Sequence, residues 1–183
     1  MYIEKITALF LSTFSAWGFL FALLYNLAIY SGNRQERLEQ QPIFYSAVMF
    51  ISFLITIPIV ALFLLPSDSA VNTWEILRYN GALIVMDLLT MFTLTLIPRG
   101  SARVGNVCYS YLQLCMSFSI VMFLAAACFG VYYQYLPSWL RQFFLIFYPL
   151  GSNANDLVMV SVLVIRRDFL GLHRLYRRLL NSS

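Results

Sequence analysis

Five long apolar runs, separated by short segments that hold nearly all of the charges, constrain this 183-residue chain more than any other feature. The runs cover residues 6–30, 43–65, 79–98, 107–131 and 143–165. A helix needs about 20 apolar residues to cross the hydrocarbon core of a bilayer. We therefore predict an all-α bundle of five transmembrane helices, which forms a single membrane domain over residues 1–183.

Composition excludes several other classes of protein. Hydrophobic residues make up 61% of the chain and charged residues 11%, whereas soluble domains carry roughly 25% charged residues. So much apolar surface cannot be hidden inside a soluble core of this size, which argues against a soluble enzyme, a disordered chain and a secreted scaffold. Cys108, Cys115 and Cys128 share one apolar run and His173 is the single histidine. We therefore expect no disulfide, metal site, cofactor or catalytic residue.

The distribution of arginine and lysine predicts the orientation, because cations gather on the cytoplasmic side of membrane proteins. If the C-terminus is inside, the inner segments hold Arg34, Arg37, Arg99, Arg103, Arg166, Arg167, Arg174, Arg177 and Arg178. The outer segments then hold Lys5, Arg78 and Arg141. We expect the N-terminus outside and the tail, residues 166–183, in the cytoplasm. The net charge of +4 lies between apolar runs, so we expect the bilayer and not nucleic acid as its partner.

Two carboxylates interrupt the apolar runs. Asp87 and Asp156 each lie roughly 9–12 residues from the nearest inner arginine, which places them near the middle of the membrane at about 1.5 Å per residue. An acid there is costly unless it is paired, protonated or hydrated, so it marks a functional site or a packing contact. Ser152, Asn155 and Asp156 share one helix face, and Gln113 is a candidate partner for either acid. These five residues form the predicted ligand or switch site.

The basic tail has an apolar side. Apolar residues recur at positions 169, 172, 176 and 179, which indicates a short amphipathic helix on the inner leaflet. A plain stop-transfer sequence explains the arginines about as well. The inner-face residues that we expect to contact lipid or a partner are Arg99, Arg103, Arg166, Arg167, Phe169, Arg174, Arg177 and Arg178.

The last run and the tail carry a resemblance to a known family. The segments FYPLGSNANDL at 147–157 and VIRRDFL at 164–170 resemble the final span of nematode serpentine chemoreceptors, above all the gamma and V classes. That span has an aromatic-proline entry, a polar patch and a basic exit that contains phenylalanine. The five runs then resemble the third to seventh helices of such a seven-helix, G-protein-coupled-receptor-like protein. The resemblance implies a shortened chemosensory receptor with an unknown small-molecule ligand and a heterotrimeric G protein as partner.

Two other functions are compatible with the same residues. A small proton- or ion-coupled carrier would use Asp87 and Asp156, although no pair of spans is broken by glycine and proline as in many transporters. A membrane adaptor without signalling would use the acids for packing alone. An integral-membrane enzyme is the least favoured alternative, because the sequence has no histidine cluster or serine–histidine pairing.

Overall fold

The structure is a computed structural model that describes residues 2–32, 40–64, 73–98, 103–174 and 176. Within this part of the chain every regular element is helical. The helices are α1 (Tyr2–Gly32), α2 (Gln41–Leu64), α3 (Thr73–Leu96), α4 (Arg103–Tyr132) and α5 (Ser138–Ile165), with a 3-10 turn at Tyr133–Tyr135. Each of the five is long and apolar enough to cross a membrane. The predicted all-α bundle of five spans is therefore confirmed, and the chain is a multi-pass membrane protein.

All five helices begin earlier than the apolar runs suggested, and the difference is largest for α3 and α5. α3 begins at Thr73 instead of 79, and α5 begins at Ser138 instead of 143, so each takes an arginine into its first turns. Arg78 lies 5.8 Å from the ring centre of Trp74, and Arg141 lies 5.2 Å from that of Tyr133. Aromatic faces attract guanidinium groups. Each arginine is therefore accommodated within the first turns of its helix, and the helix begins before the charged residue.

The five helices form a closed ring in chain order. Each helix packs against the next one along the chain, α5 returns to α1, and α2 also contacts α4. Residues 107–113 of α4 are all buried. Because a helix completes a turn every 3.6 residues, seven consecutive buried positions leave this part of α4 with no side open to lipid. We call the end of the bundle at Ser138 the turn end and the end at Arg166 the tail end.

The interior and the exterior of the bundle are both largely apolar. Phe19, Met49 and Leu112 belong to the buried core, whereas Trp17 and Ile146 are examples of large apolar side chains that stay exposed. Continuous apolar patches of this kind are rare on soluble monomers. They are the surface that a helical bundle presents to lipid.

Hydrogen bonds of buried or half-buried side chains join each pair of neighbouring helices. In lipid such bonds hold helices together where burial of apolar surface gives no driving force. The bonds are Asn26 to Ser46 (2.8 Å), Ser52 with Thr90 (2.5 Å), Gln113 to the Met91 carbonyl (3.3 Å), Asn155 to Ser119 (2.8 Å) and Ser15 to Asp156 (2.7 Å).

The tail folds back against the bundle instead of continuing α5. Arg166 has a left-handed backbone (φ 56°) and its N–H donates to the Val162 carbonyl, which ends the helix. The chain becomes helical again only at residue 172. Leu172 and Tyr176 then pack against the core while staying partly exposed, and position 179 of the predicted apolar side lies outside the described residues. Periodicity identifies an apolar side but does not identify what covers it.

Candidate functional site

A central cavity of about 250 Å³ lies inside the bundle, and all five helices line it. Its walls combine apolar side chains with hydroxyl groups. The lining serines and threonine are Ser15, Ser52, Thr56, Ser119 and Ser152. Ligand sites in proteins have this composition, a mainly apolar wall with a few polar groups that orient the ligand.

Both predicted acids line this cavity from different helices. Asp156 on α5 accepts a hydrogen bond of 2.7 Å from the Ser15 hydroxyl of α1. Asp87 approaches from α3, and its Oδ2 atom is buried and accepts no hydrogen bond from the part of the chain that the structure describes. The lining residues include no lysine, arginine or histidine. The cavity therefore contains two acids, one of them with a buried acceptor atom that lacks a donor.

The other residues of the predicted site divide between the cavity and the helix contacts. Ser152 lines the cavity. Asn155 instead points to α4, where its Nδ2 donates to the Cys115 carbonyl at 3.0 Å and to Ser119. Gln113 donates to the Met91 carbonyl of α3, so it is not the amide partner of either acid. The face of α5 that looked continuous in sequence is thus shared between a cavity wall and a packing contact.

A second, larger cavity of about 620 Å³ lies at the turn end, between α3, α4 and α5. We call it the vestibule. Aromatic side chains form much of its wall, including Phe129, Tyr133 and Phe144. Tyr79 and Tyr148 line both the vestibule and the central cavity. A molecule that enters at the turn end therefore passes these two tyrosines before it reaches the acids.

The tail end is closed by a polar contact around Asn26, which is fully buried. Its Nδ2 donates to Ser46 on α2 and to the Leu163 carbonyl on α5 at 3.1 Å. Its Oδ1 accepts two hydrogen bonds from the Arg166 guanidinium, at 2.8 and 2.5 Å. One asparagine thus ties α1, α2 and the end of α5 together beneath the central cavity.

The folded-back tail adds a second closure at this end. The Tyr111 hydroxyl donates to Asp168 at 2.7 Å and accepts from the Leu170 N–H at 2.7 Å. Desolvation raises the pKa of Asp168, but the hydrogen bonds from Tyr111 and the His173 N–H, together with nearby positive charge, outweigh it and lower that pKa overall. The carboxylate therefore stays ionised at neutral pH and holds the tail to α4.

The predicted inner-face residues have different environments. Arg166 is turned inward to Asn26. The Phe169 ring lies 5.4 Å from the Tyr111 ring at an interplanar angle of 33°, and Phe169 is exposed. Arg167 and Arg174 are exposed and are free to face a headgroup or a partner. Arg99, Arg177 and Arg178 lie outside the described residues, as does the side chain of Arg103.

Sequence reasoning missed four residues that shape the site. Ser15, Tyr79 and Tyr148 line the central cavity, and Asn26 closes the tail end. Asn26 had a usable signal, because an amide within an apolar run needs a polar partner. A serine or a tyrosine within a membrane helix is too common to be singled out without the fold.

The described residues contain no group of three histidine, cysteine or acidic side chains that could hold a metal ion. Comparison with protein families, curated proteins and solved structures finds no match for this chain. The interpretation of the site therefore depends on its geometry and on the residues that form it.

Proposed function

We propose that this protein is a membrane receptor of the serpentine chemoreceptor kind, in which a small molecule from outside binds in the central cavity. The cytoplasmic partner would be a heterotrimeric G protein, as the resemblance of the last span implies. The nine-to-three distribution of cations supports an orientation with the turn end outside and the tail end inside.

The observation that carries the proposal is the participation of all five helices in one cavity. A ligand shifts a conformational equilibrium only if it binds the two states with different affinity. A molecule in contact with every helix meets this condition, because any relative movement of the helices alters its contacts. Small helix movements of this kind are a common route for signals through helical proteins.

The different packing of the two ends fits a receptor. At the turn end, a vestibule leads through Tyr79 and Tyr148 to the cavity. At the tail end, the Asn26–Arg166 contact and the fully buried stretch of α4 close the path. A carrier must open its site to both sides in turn, whereas a receptor needs access from outside only.

Cysteine labelling tests this one-sided access without knowledge of the ligand. Ser152→Cys is placed in the cavity in a Cys128→Ser background, since Cys108 and Cys115 are buried and Cys128 is exposed. A membrane-impermeant thiol reagent should label it in intact cells and leave it unlabelled in inside-out vesicles. Gln134→Cys and Arg167→Cys, both at exposed positions, are the matched controls for the outer and the inner face.

Labelling of Ser152→Cys from both sides would contradict the receptor proposal. It would favour the second candidate, a proton- or ion-coupled carrier, for which the two cavity acids are the specific observation. Uptake into proteoliposomes that is lost in both Asp87→Asn and Asp156→Asn would then identify the carrier. If neither side labels the cavity and no uptake occurs, the adaptor remains.

A further inference from the structure

We propose that the central cavity binds a small organic ammonium ion, with Asp87 and Asp156 as its two anionic contacts. The inference deepens the proposed function, on which it rests, by naming the chemical class of the ligand. It depends on three features of the cavity, which are its charge, its unsatisfied acceptor and its size.

Charge and hydrogen bonding favour a cationic donor. Among the described residues, two carboxylates line the cavity and no basic side chain does. The buried Oδ2 atom of Asp87 accepts no hydrogen bond within the described residues, and an unsatisfied buried acceptor is costly. An ammonium group supplies both a positive charge and up to three N–H donors. The ammonium group would bridge Asp87 on α3 and Asp156 on α5. Asp156 also accepts a hydrogen bond from the Ser15 hydroxyl.

Size and wall chemistry favour an organic cation over an inorganic one. A volume of about 250 Å³ far exceeds the roughly 30 Å³ share of one water molecule in the liquid. It is somewhat smaller than the roughly 300–1,000 Å³ of sites for drug-sized ligands. Phe53, Phe123 and Met116 are among the walls, and aromatic faces attract ammonium groups. A bare metal cation has no apolar surface that could pack against these walls.

Matched pairs of probes test the charge requirement with the full chain in phosphatidylcholine nanodiscs. 2-Phenylethylamine is compared with 2-phenylethanol, and hexylamine with hexan-1-ol, since each alcohol is the neutral counterpart of its amine. Apparent affinity is obtained from the rise in thermal stability with ligand concentration. In a Cys128→Ser background, since Cys128 is exposed, the reaction of the buried Cys108 and Cys115 with a thiol-specific fluorophore reports unfolding.

We expect an amine to stabilise the protein at concentrations at least about tenfold lower than its alcohol does. Asp87→Asn and Asp156→Asn should each lower the amine affinity roughly 10- to 100-fold, the range for a lost hydrogen bond to a charged group. Neither change should alter the effect of the alcohols. Glu75→Gln removes a carboxylate from the first turn of the same helix as Asp87, outside the cavity, and should change neither.

Equal effects of amine and alcohol in both pairs would overturn the proposal, as would an amine preference that survives in both Asn variants. Stabilisation by sodium chloride equal to that by the amine salts would identify an inorganic cation site instead. The wild-type comparison decides the question even if an Asn variant fails to fold. Amine binding combined with labelling of Ser152→Cys from both sides would refute the receptor while leaving this inference intact.

Discussion

The contact between Asn26 and Arg166 gives the sharpest quantitative test of the packing described above. Asn26 is fully buried and its Oδ1 accepts both hydrogen bonds from the guanidinium. Asn26→Ala removes these bonds together with the Nδ2 bonds to Ser46 and Leu163. Arg166→Ala removes the guanidinium side of the contact. A double-mutant cycle isolates the energy of the pair.

The expected magnitude follows from two known ranges. A hydrogen bond to a charged group contributes about 1.5–3 kcal/mol in proteins generally, whereas polar contacts between membrane helices average about 0.6 and reach about 1.7 kcal/mol. With two bonds to one oxygen we expect a coupling of about 1–2 kcal/mol between Asn26 and Arg166. Asn26→Ala alone should lower the free energy of unfolding by about 2–4 kcal/mol, since it loses the additional Nδ2 bonds.

The assay is unfolding by sodium dodecyl sulfate in mixed micelles, in a Cys128→Ser background. Pulses of a thiol-specific fluorophore report the exposure of Cys108 and Cys115, which are buried in the folded chain. Arg167 is the matched control because it is the exposed neighbour of Arg166. Its Ala variant should show a coupling with Asn26→Ala below about 0.3 kcal/mol, the usual error of additivity.

A coupling of the same small size for Arg166 would contradict this role of the contact. It would mean that the guanidinium does not hold α1 against the end of α5. A coupling in the expected range would show that the Asn26–Arg166 contact stabilises the tail end.

Three further predictions concern the tail and the helix contacts. Asp168→Asn should lower stability at pH 7, and this difference from the wild type should shrink as the pH falls below 3.8, measured by equilibrium unfolding followed by circular dichroism. The sign follows from the lowered pKa, because the ionised carboxylate stabilises the fold above the ordinary value of 3.8 and this contribution is lost as the pH falls through the folded-state pKa. Gly130→Ala should destabilise by about 1–3 kcal/mol, since the new methyl group would lie 2.6 Å from Ile76 Cγ2; adding Ile76→Ala should relieve this overpacking, and no relief would contradict the close approach of α3 and α4. Phe169→Ala should cost about 0.5–1.5 kcal/mol beyond its lost burial through its ring contact with Tyr111; an unchanged unfolding midpoint would show that the ring does not hold the tail.

Particular residues show how far the site could be predicted. Asp87 and Asp156 could be selected because an ionisable group in an apolar run demands an explanation, and both do line the central cavity. Their surroundings could not be predicted. Ser15, the donor to Asp156, lies 141 positions away in the chain, and Gln113 turns to the Met91 carbonyl instead of to an acid.

The five helices follow from the amino-acid sequence alone, because the cost of unpaired backbone groups in lipid leaves an apolar run of this length no other structure. Which side chains meet depends on the packing of the helices, since helical periodicity specifies a face but neither its rotation within the bundle nor the depth of its neighbours. The tail shows the same division. Its apolar spacing was visible in the sequence, but the left-handed turn at Arg166 and the Tyr111–Asp168 bond direct that side to the core. These are contacts between distant segments, and they form only when the bundle has closed.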